Sequence, residues 1–323
     1  MKRIRWSYLV AAFLLLLIVP VLVTQLVPQG PRHFDRTALE DTRYEEISFR
    51  NTAQQLQLGG LLFAPQGEGP FPAVVVIHGS GTSRRDSGWY LKLTQYLQQN
   101  GIAVLLPDKR GSEKSEGNWR TADFHDLATD TLAGVEYLKN RDPIAVSQIG
   151  IVGMSQGGWI APIVASQSDD IDFVVTLVGS AVTPAEQLVY EENYNIRQMG
   201  FLPGFSNVLA HLSSAHIRYV RMADWYDPIA EYDPIPLWQV MSVEALVLYG
   251  RDDTNVPSVE SAARLRDTGN ANIEVVIYDG SGHALEDPVG QGDSIIRDEV
   301  LTKVSDFIHR VAGKKRVAQK EKL

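Results

Sequence analysis

From residue 73 onward the chain alternates short, continuous apolar runs with amphipathic stretches of helical period, and this alternation is what most restricts its fold. Apolar and β-branched runs occur at 73–77, 102–106, 148–152, 173–178, 245–249 and 273–278. The continuous run at 73–77 is what a strand covered on both faces requires, and 102–106 reads as a second buried strand. Between them lie stretches that read as helices at 89–99, 123–139, 156–166, 258–266 and 295–311. Strand and helix in turn imply a mostly parallel sheet with helices on both faces, an α/β architecture. Ahead of it, 44–50 and 55–63 alternate apolar and polar residues and predict a hairpin adding antiparallel strands at one edge. Between 183 and 243 the alternation stops. That segment, rich in Tyr, Trp and Met, is too long for an ordinary loop and is expected to be an inserted helical cap.

A chain of 323 residues that is 44% hydrophobic can bury one large core, so a single main domain is expected over 44–313. The appendages would be an amino-terminal segment at 1–29, a linker at 30–43 and a basic tail at 314–323. Lys2, Arg3 and Arg5 precede an uncharged, mainly apolar stretch at 6–27. A bilayer core needs about 20 apolar residues in a helix, so this stretch is just long enough for a signal-anchor. Pro20, Thr24 and Gln25 weaken it, which keeps a cleaved signal peptide as the rival, although no small-x-small cleavage site follows. With the basic residues inside, the domain would lie extracytoplasmic, periplasmic or extracellular in a bacterium, and secreted if the signal is cleaved. The net charge of -9 argues against a nucleic-acid partner. The lack of cysteine removes disulfides, thiolate nucleophiles and Cys-ligated metals.

The strongest local pattern is Gly153-Met154-Ser155-Gln156-Gly157-Gly158, set between an expected strand and an expected helix. A G-x-S-x-G sequence in that setting is a nucleophile elbow, in which a tight turn exposes the serine hydroxyl. Glycine is needed at 153 and 157 because strand and helix pass too close for side chains. A hydroxyl is a weak nucleophile and needs a base, and the base needs a group to orient it. Downstream, Tyr249-Gly250-Arg251-Asp252-Asp253 closes one strand, and Gly280-Ser281-Gly282-His283 follows another. Each lies just past the carboxyl end of a strand, where open α/β sheets place their sites. The chain order Ser, Asp, His is that of one hydrolase fold.

On these motifs the chain resembles the α/β-hydrolase superfamily, specifically bacterial serine hydrolases of the esterase or acyl-peptidase-like kind. The similarity spans about 45–311 and includes His78-Gly79-Ser80-Gly81 and Pro107-Asp108-Lys109-Arg110-Gly111-Ser112. The resemblance implies Ser155 as nucleophile, His283 as base and Asp253 as the acid, chosen over Asp252 because the acid stands three residues after the strand-end glycine. It also implies an oxyanion hole formed by the backbone N–H groups of Ser80 and Gln156, with Gly81 as second choice for the first. His78 is read as shaping its loop. His33, His125, His211, His216 and His309 lack the glycine-rich post-strand setting. Asp108 and Arg110 are read as braces of their loop, with a substrate clamp as the alternative. Glu113 stands where a glycine is common, which leaves that loop's shape open. Trp159 is read as packing, and Tyr190, Tyr194, Phe201, Phe205, Trp225 and Tyr226 as cap core that could lend one or two contacts to an acyl pocket.

The implied chemistry is two-step acyl transfer on a small acyl substrate, requiring no metal or organic cofactor. A carboxylic ester is the first expectation, a thioester or short acyl-peptide the second. Relatives with an Asp nucleophile are disfavoured by Ser155, and dienelactone-type hydrolases, which resemble parts of the chain, use a cysteine that is absent. A non-catalytic ligand-binding homologue is the alternative of another class. An imidazole base must be neutral to work, so activity is expected to fall below about pH 6 to 7.

Overall fold

The computed structural model of the protein describes residues 5–26, 39, 42–141, 146–287 and 295–320. Its centre is an eight-stranded sheet. The hairpin strands β1 (Glu45–Asn51) and β2 (Leu56–Phe63) are followed by β3 (Phe71–Ile77), helix α2 (Gly88–Gln99), β4 (Ala103–Pro107) and α3 (Phe124–Lys139). Then come β5 (Val146–Met154), α4 (Gly157–Gln167) and β6 (Phe173–Leu177). The chain ends with β7 (Glu244–Gly250), α9 (Ser258–Asp267), β8 (Ile273–Tyr278) and α10 (Asp298–Lys320). The strand order is β1-β2-β4-β3-β5-β6-β7-β8. β1, β2 and β4 pair antiparallel and every other neighbouring pair is parallel, so the hairpin sits at one edge as its alternation required.

The apolar runs of β3 to β7 are buried because helices cover both faces, whereas the edge strand β8 is mostly half-buried. Ile151 and Val174 pack on one side with α3, α4 and the cap, while Val152, Val175 and Leu248 pack on the other with α2 and α10. Local signals set the helix starts. Asp123 caps α3 in a reciprocal capping box with Asp126, and Thr183 does the same for α5 (Pro184–Gln198) with Glu186, satisfying amide groups that a helix leaves open at its first turn. The last helix begins later than the 295 start that its periodicity predicted, at Asp298. Ile295 and Ile296 are buried ahead of it as loop residues. The helix then carries on through most of the basic 314–323 segment, to Lys320.

The cap comprises α5, α6 (Pro203–His216), a π-helical turn at Ile217–Arg221 and the short helices α7 (Ala223–Tyr226) and α8 (Ile235–Gln239), inserted between β6 and β7. The amino-terminal stretch forms helix α1 (Trp6–Leu26). Among the described residues no helix is long and apolar enough to cross a membrane; of α1, the side chains described are those of 6–15, 18 and 22. His33 and nearly all of the 30–43 linker lie outside the described residues.

Candidate active site

Ser155 stands at the end of β5 with φ +53°, a left-handed conformation that a non-glycine residue holds only when its surroundings impose it. The surroundings here are backbone. Its N–H donates to the Leu177 carbonyl at 2.9 Å, and its own carbonyl accepts from Gly158 at 2.8 Å. A Cβ on Gly153 would meet the Gly157 carbonyl oxygen at 2.4 Å, and one on Gly157 would meet the Ile77 carbonyl oxygen at 2.5 Å. No side chain fits at either position, so the glycines of the motif are what allow strand and helix to cross this closely.

The three residues read from separate motifs converge. His283 Nε2 lies 3.0 Å from Ser155 Oγ, and its Nδ1 lies 2.8 Å from Asp253 Oδ2. The other carboxylate oxygen of Asp253 accepts the backbone N–H groups of Asn255 at 2.8 Å and Val256 at 2.9 Å. Asp253 is thereby buried yet satisfied, and it presents an acceptor to Nδ1. This leaves Nε2 as an acceptor toward the serine hydroxyl. Asp252 points elsewhere: it is exposed, and its N–H serves the turn by donating to the Ser281 carbonyl. The histidine loop is pinned from behind by Trp89, whose indole N–H donates to the Ala284 carbonyl at 3.2 Å and whose ring lies 5.8 Å from that of His283.

On the opposite side of Ser155 stands the 78–81 segment. A Cβ on Gly79 would lie 3.3 Å from the Cβ of Ser155, so glycine lets this backbone come up against Ser155. Among the described residues no hydrogen bond takes up the N–H of Ser80 or of Gln156. His78 does shape the loop: it is buried, its Nε2–H donates to the Pro107 carbonyl at 2.6 Å, and burial pushes its pKa down to about 4. It stays neutral at physiological pH. Tyr90 accepts the Gly79 N–H at 2.8 Å.

Asp108 and Arg110 are braces, although not of each other. Asp108 accepts a two-pronged bond from Arg85, at 2.9 and 2.6 Å, and Arg110 makes one to Asp130, at 2.6 and 2.9 Å. Glu113 adopts φ +49°, the left-handed conformation that makes glycine common there, and its carboxylate accepts from the Arg85 N–H. Between the two braced residues is Lys109, to which the sequence drew no separate attention. Its Nζ donates to the Gly79 carbonyl at 2.8 Å and to the Gln156 side-chain oxygen at 2.5 Å. Burial lowers its pKa to about 7.

A pocket of about 130 Å³ opens between the two sides, lined by His78, Ser80, Trp89, Tyr90, Ser155 and His283 among others, with Arg84 at its edge. Among the described residues no cap aromatic lines it. Trp225 and Tyr226 are buried as cap core, and Phe201 and Phe205 pack on a small cluster around Ile196. Tyr190 and Tyr194 are partly exposed, which corrects their reading as core. Tyr190 reaches the site another way, its hydroxyl donating to the Asp253 carbonyl at 2.7 Å. Trp159 packs as expected, stacked on Phe124 with its N–H on the Val182 carbonyl. His125, His211 and His309 are on exposed helix surfaces. Among the described residues no group of His, Asp or Glu is arranged to hold a metal ion.

The chain is similar to known hydrolases. Residues 133–296 match the family model for the BAAT / acyl-CoA thioester hydrolase C terminal, and residues 58–198 match that of the dienelactone hydrolase family. The chain is 27% identical over 243 residues to esterase EstD of Thermotoga maritima, covering 71% of this chain and 58% of that protein. It is 22% identical over 270 residues to the peroxisomal succinyl-coenzyme A thioesterase of Mus musculus, covering 81% and 60% respectively. The chain thus spans less than two thirds of the length of these relatives. Among solved structures, an esterase of Pyrococcus furiosus, Pf2001, superposes with a TM-score of 0.64 at 21% identity, over 87% of this chain and 97% of that one.

Proposed function

The chain belongs to the BAAT / acyl-CoA thioester hydrolase C-terminal family, within the α/β-hydrolase superfamily, and from that premise we propose that it is a serine hydrolase cleaving carboxylic esters of short acyl chains. The observation that carries the reading is the unbroken relay of Asp253, His283 and Ser155 at hydrogen-bond distances beside an open pocket. His283 removes the Ser155 proton as Oγ attacks the carbonyl carbon. The tetrahedral oxyanion is held by the N–H groups of Ser80 and Gln156. His283 then gives its proton to the departing alcohol, and water activated by the same imidazole releases the acid and restores Ser155. Asp253 holds the imidazole in the productive tautomer and stabilises its charged form.

Pocket size bears on the acyl group. A void of about 150 Å³ holds a benzene molecule, so the 130 Å³ beside Ser155 suits an acetyl to butyryl group better than a long chain. A thioester is the second reading, favoured by the family match. A separate proposal rests on the sequence alone: the uncharged 6–27 segment behind Lys2, Arg3 and Arg5 suits a membrane tether, with the domain on the far side.

One experiment tests these points together. Membrane and soluble fractions of expressing cells are labelled with a fluorophosphonate probe, and purified protein is assayed on p-nitrophenyl esters of two to sixteen carbons and on matching acyl-CoA thioesters. The expected result is a labelled band in the membrane fraction that is absent in Ser155→Ala, and turnover falling steeply beyond four carbons. Labelling that survives in Ser155→Ala refutes the nucleophile, faster turnover of thioesters selects the second reading, and a soluble labelled band refutes the tether.

A further inference from the structure

Two separated segments have to be held in register for an oxyanion hole to work, and in this protein one side chain spans them. Lys109 follows β4, buried against the ends of β3 and α4. Its Nζ donates to the Gly79 carbonyl, which belongs to the same peptide unit as the Ser80 N–H, and to the carboxamide of Gln156, whose backbone N–H is the second amide of the site. A donor on the carbonyl of a peptide polarises that peptide and makes its N–H a stronger donor in turn.

The cation is not there for an ion pair. Carboxylates in its neighbourhood are committed elsewhere, Asp108 to Arg85 and Asp130 to Arg110. The Trp119 ring also lies near its Nζ, 5.7 Å away. Burying an ammonium on neutral acceptors alone is costly. A methionine would fill the same space without that cost, so the charge calls for an explanation beyond packing.

We propose that Lys109 is the positioning residue of the oxyanion hole, tying the Gly79 carbonyl to the Gln156 side chain and turning the Gly79–Ser80 peptide, polarised, toward the oxyanion. Its charge also attracts the negative charge that develops there across a medium of low dielectric constant. The inference rests on the ester-hydrolase reading above.

A pH signature follows. Burial lowers the Lys109 pKa to about 7, with Asp130 opposing the shift. As pH rises through that value the amine keeps its bonds but loses its charge, so kcat should fall to a lower plateau and not to zero. The groups facing it are His78 on the β3 side, Asp108 and Arg110 on its own loop, and Asp130 on α3. His78 is neutral across this window, and loss of the step in Lys109→Met is what assigns it to Lys109. The sign for stability is opposite. A lysine whose pKa is lowered in the folded state binds fewer protons than the unfolded chain between about 7 and 10.5, so its contribution to stability rises with pH over that interval.

The test uses the full chain as wild type, Lys109→Met and Lys109→Gln. kcat and KM for p-nitrophenyl butyrate are measured from pH 6 to 10, with binding of a trifluoromethyl ketone that forms a tetrahedral oxyanion on the serine, and thermal melting. For both variants kcat should fall about tenfold to a hundredfold with KM within about twofold. Ketone affinity should fall by the same factor, and the alkaline step should vanish, while the melting temperature holds or rises. A folded Lys109→Met with wild-type kcat and the wild-type pH step overturns the inference. If neither variant folds, a wild-type kcat that stays level from pH 7 to 10 overturns it. Turnover that survives Ser155→Ala instead defeats the acyl-enzyme reading, so the two failures are distinct.

Discussion

On the β7–β8 side of Ser155 the site is made of side chains that touch directly: a carboxylate, an imidazole and a hydroxyl in line, each within 3.0 Å of the next. On the β3–β4 side it is made of backbone, and the side chains stand behind it. Tyr90 holds the Gly79 N–H, Lys109 holds the Gly79 carbonyl, His78 holds Pro107, and Arg85 locks Asp108. The contrast follows from the proposed chemistry. Proton transfer needs groups that change protonation and therefore must be side chains. Holding an oxyanion needs fixed dipoles, and a dipole is only as fixed as the loop that carries it. Substitutions should accordingly hit chemistry on the first side and act through rigidity on the second.

The largest effect is expected at Asp253→Asn. The Asn255 and Val256 amides should keep the remaining oxygen, which turns the new amide toward His283 Nδ1 and places the imidazole proton on Nε2, facing the serine. kcat should fall about 10⁴-fold, or about 5.5 kcal/mol, with little change in melting temperature. Asp252→Asn, on the exposed neighbour, should stay within about twofold of wild type. If Asp252→Asn proves the more damaging, the side-chain half of the comparison is wrongly assigned.

Next is Arg85→Met, aimed at the scaffold half. It strips Asp108, whose side chain is 2% exposed, of its two-pronged partner. Leaving a buried carboxylate unpaired should cost about 3 kcal/mol of folding stability, read by urea denaturation, with the loss growing as pH rises above the ordinary carboxylate range. Activity at a temperature where the variant is folded should fall less than stability does. A large kcat loss without a stability loss would place Arg85 in contact with substrate and break the contrast.

The smallest effect is expected at Tyr190→Phe, which removes the cap's hydrogen bond to the Asp253 carbonyl and leaves the bond from Asn255 to Glu191 in place. A single such bond contributes about 1 kcal/mol, so kcat/KM should fall about fivefold across the whole ester series. A change confined to the longer esters would mean that the cap contacts the acyl chain after all.

Legibility from sequence differed between the same two halves. Ser155, Asp253 and His283 were each marked by a local pattern: an elbow, a strand-end glycine, a glycine-rich post-strand turn. Each pattern exists because a tight turn restricts which residues can occupy it, as Gly153 and Gly157 show. The expected amides of Ser80 and Gln156 were implied by resemblance alone; what the structure adds is that Gly79 lets that backbone approach Ser155. Lys109 had no such mark. Its partners lie 30 and 47 residues away, and nothing in Asp108-Lys109-Arg110 says which of three adjacent charged residues turns inward. Asp108 and Arg110 were rightly read as braces, yet their partners, Arg85 and Asp130, were not foreseen for the same reason.

By itself the sequence determined the order and kind of the central elements, because burial on both faces of a sheet or one face of a helix prints a period on the chain. It also determined the candidate nucleophile, base and acid, because their turns tolerate few residues. Only the tertiary structure decided which side chains stand behind the backbone of the site, that the cap meets it through Tyr190 and not through an aromatic wall, and that α10 starts at Asp298 with Ile295 and Ile296 buried before it. The physical reason is common to all of these. Buried hydrogen bonds and ion pairs join residues distant in sequence, and their geometry depends on how the loops at the sheet's edge pack, which no local period records.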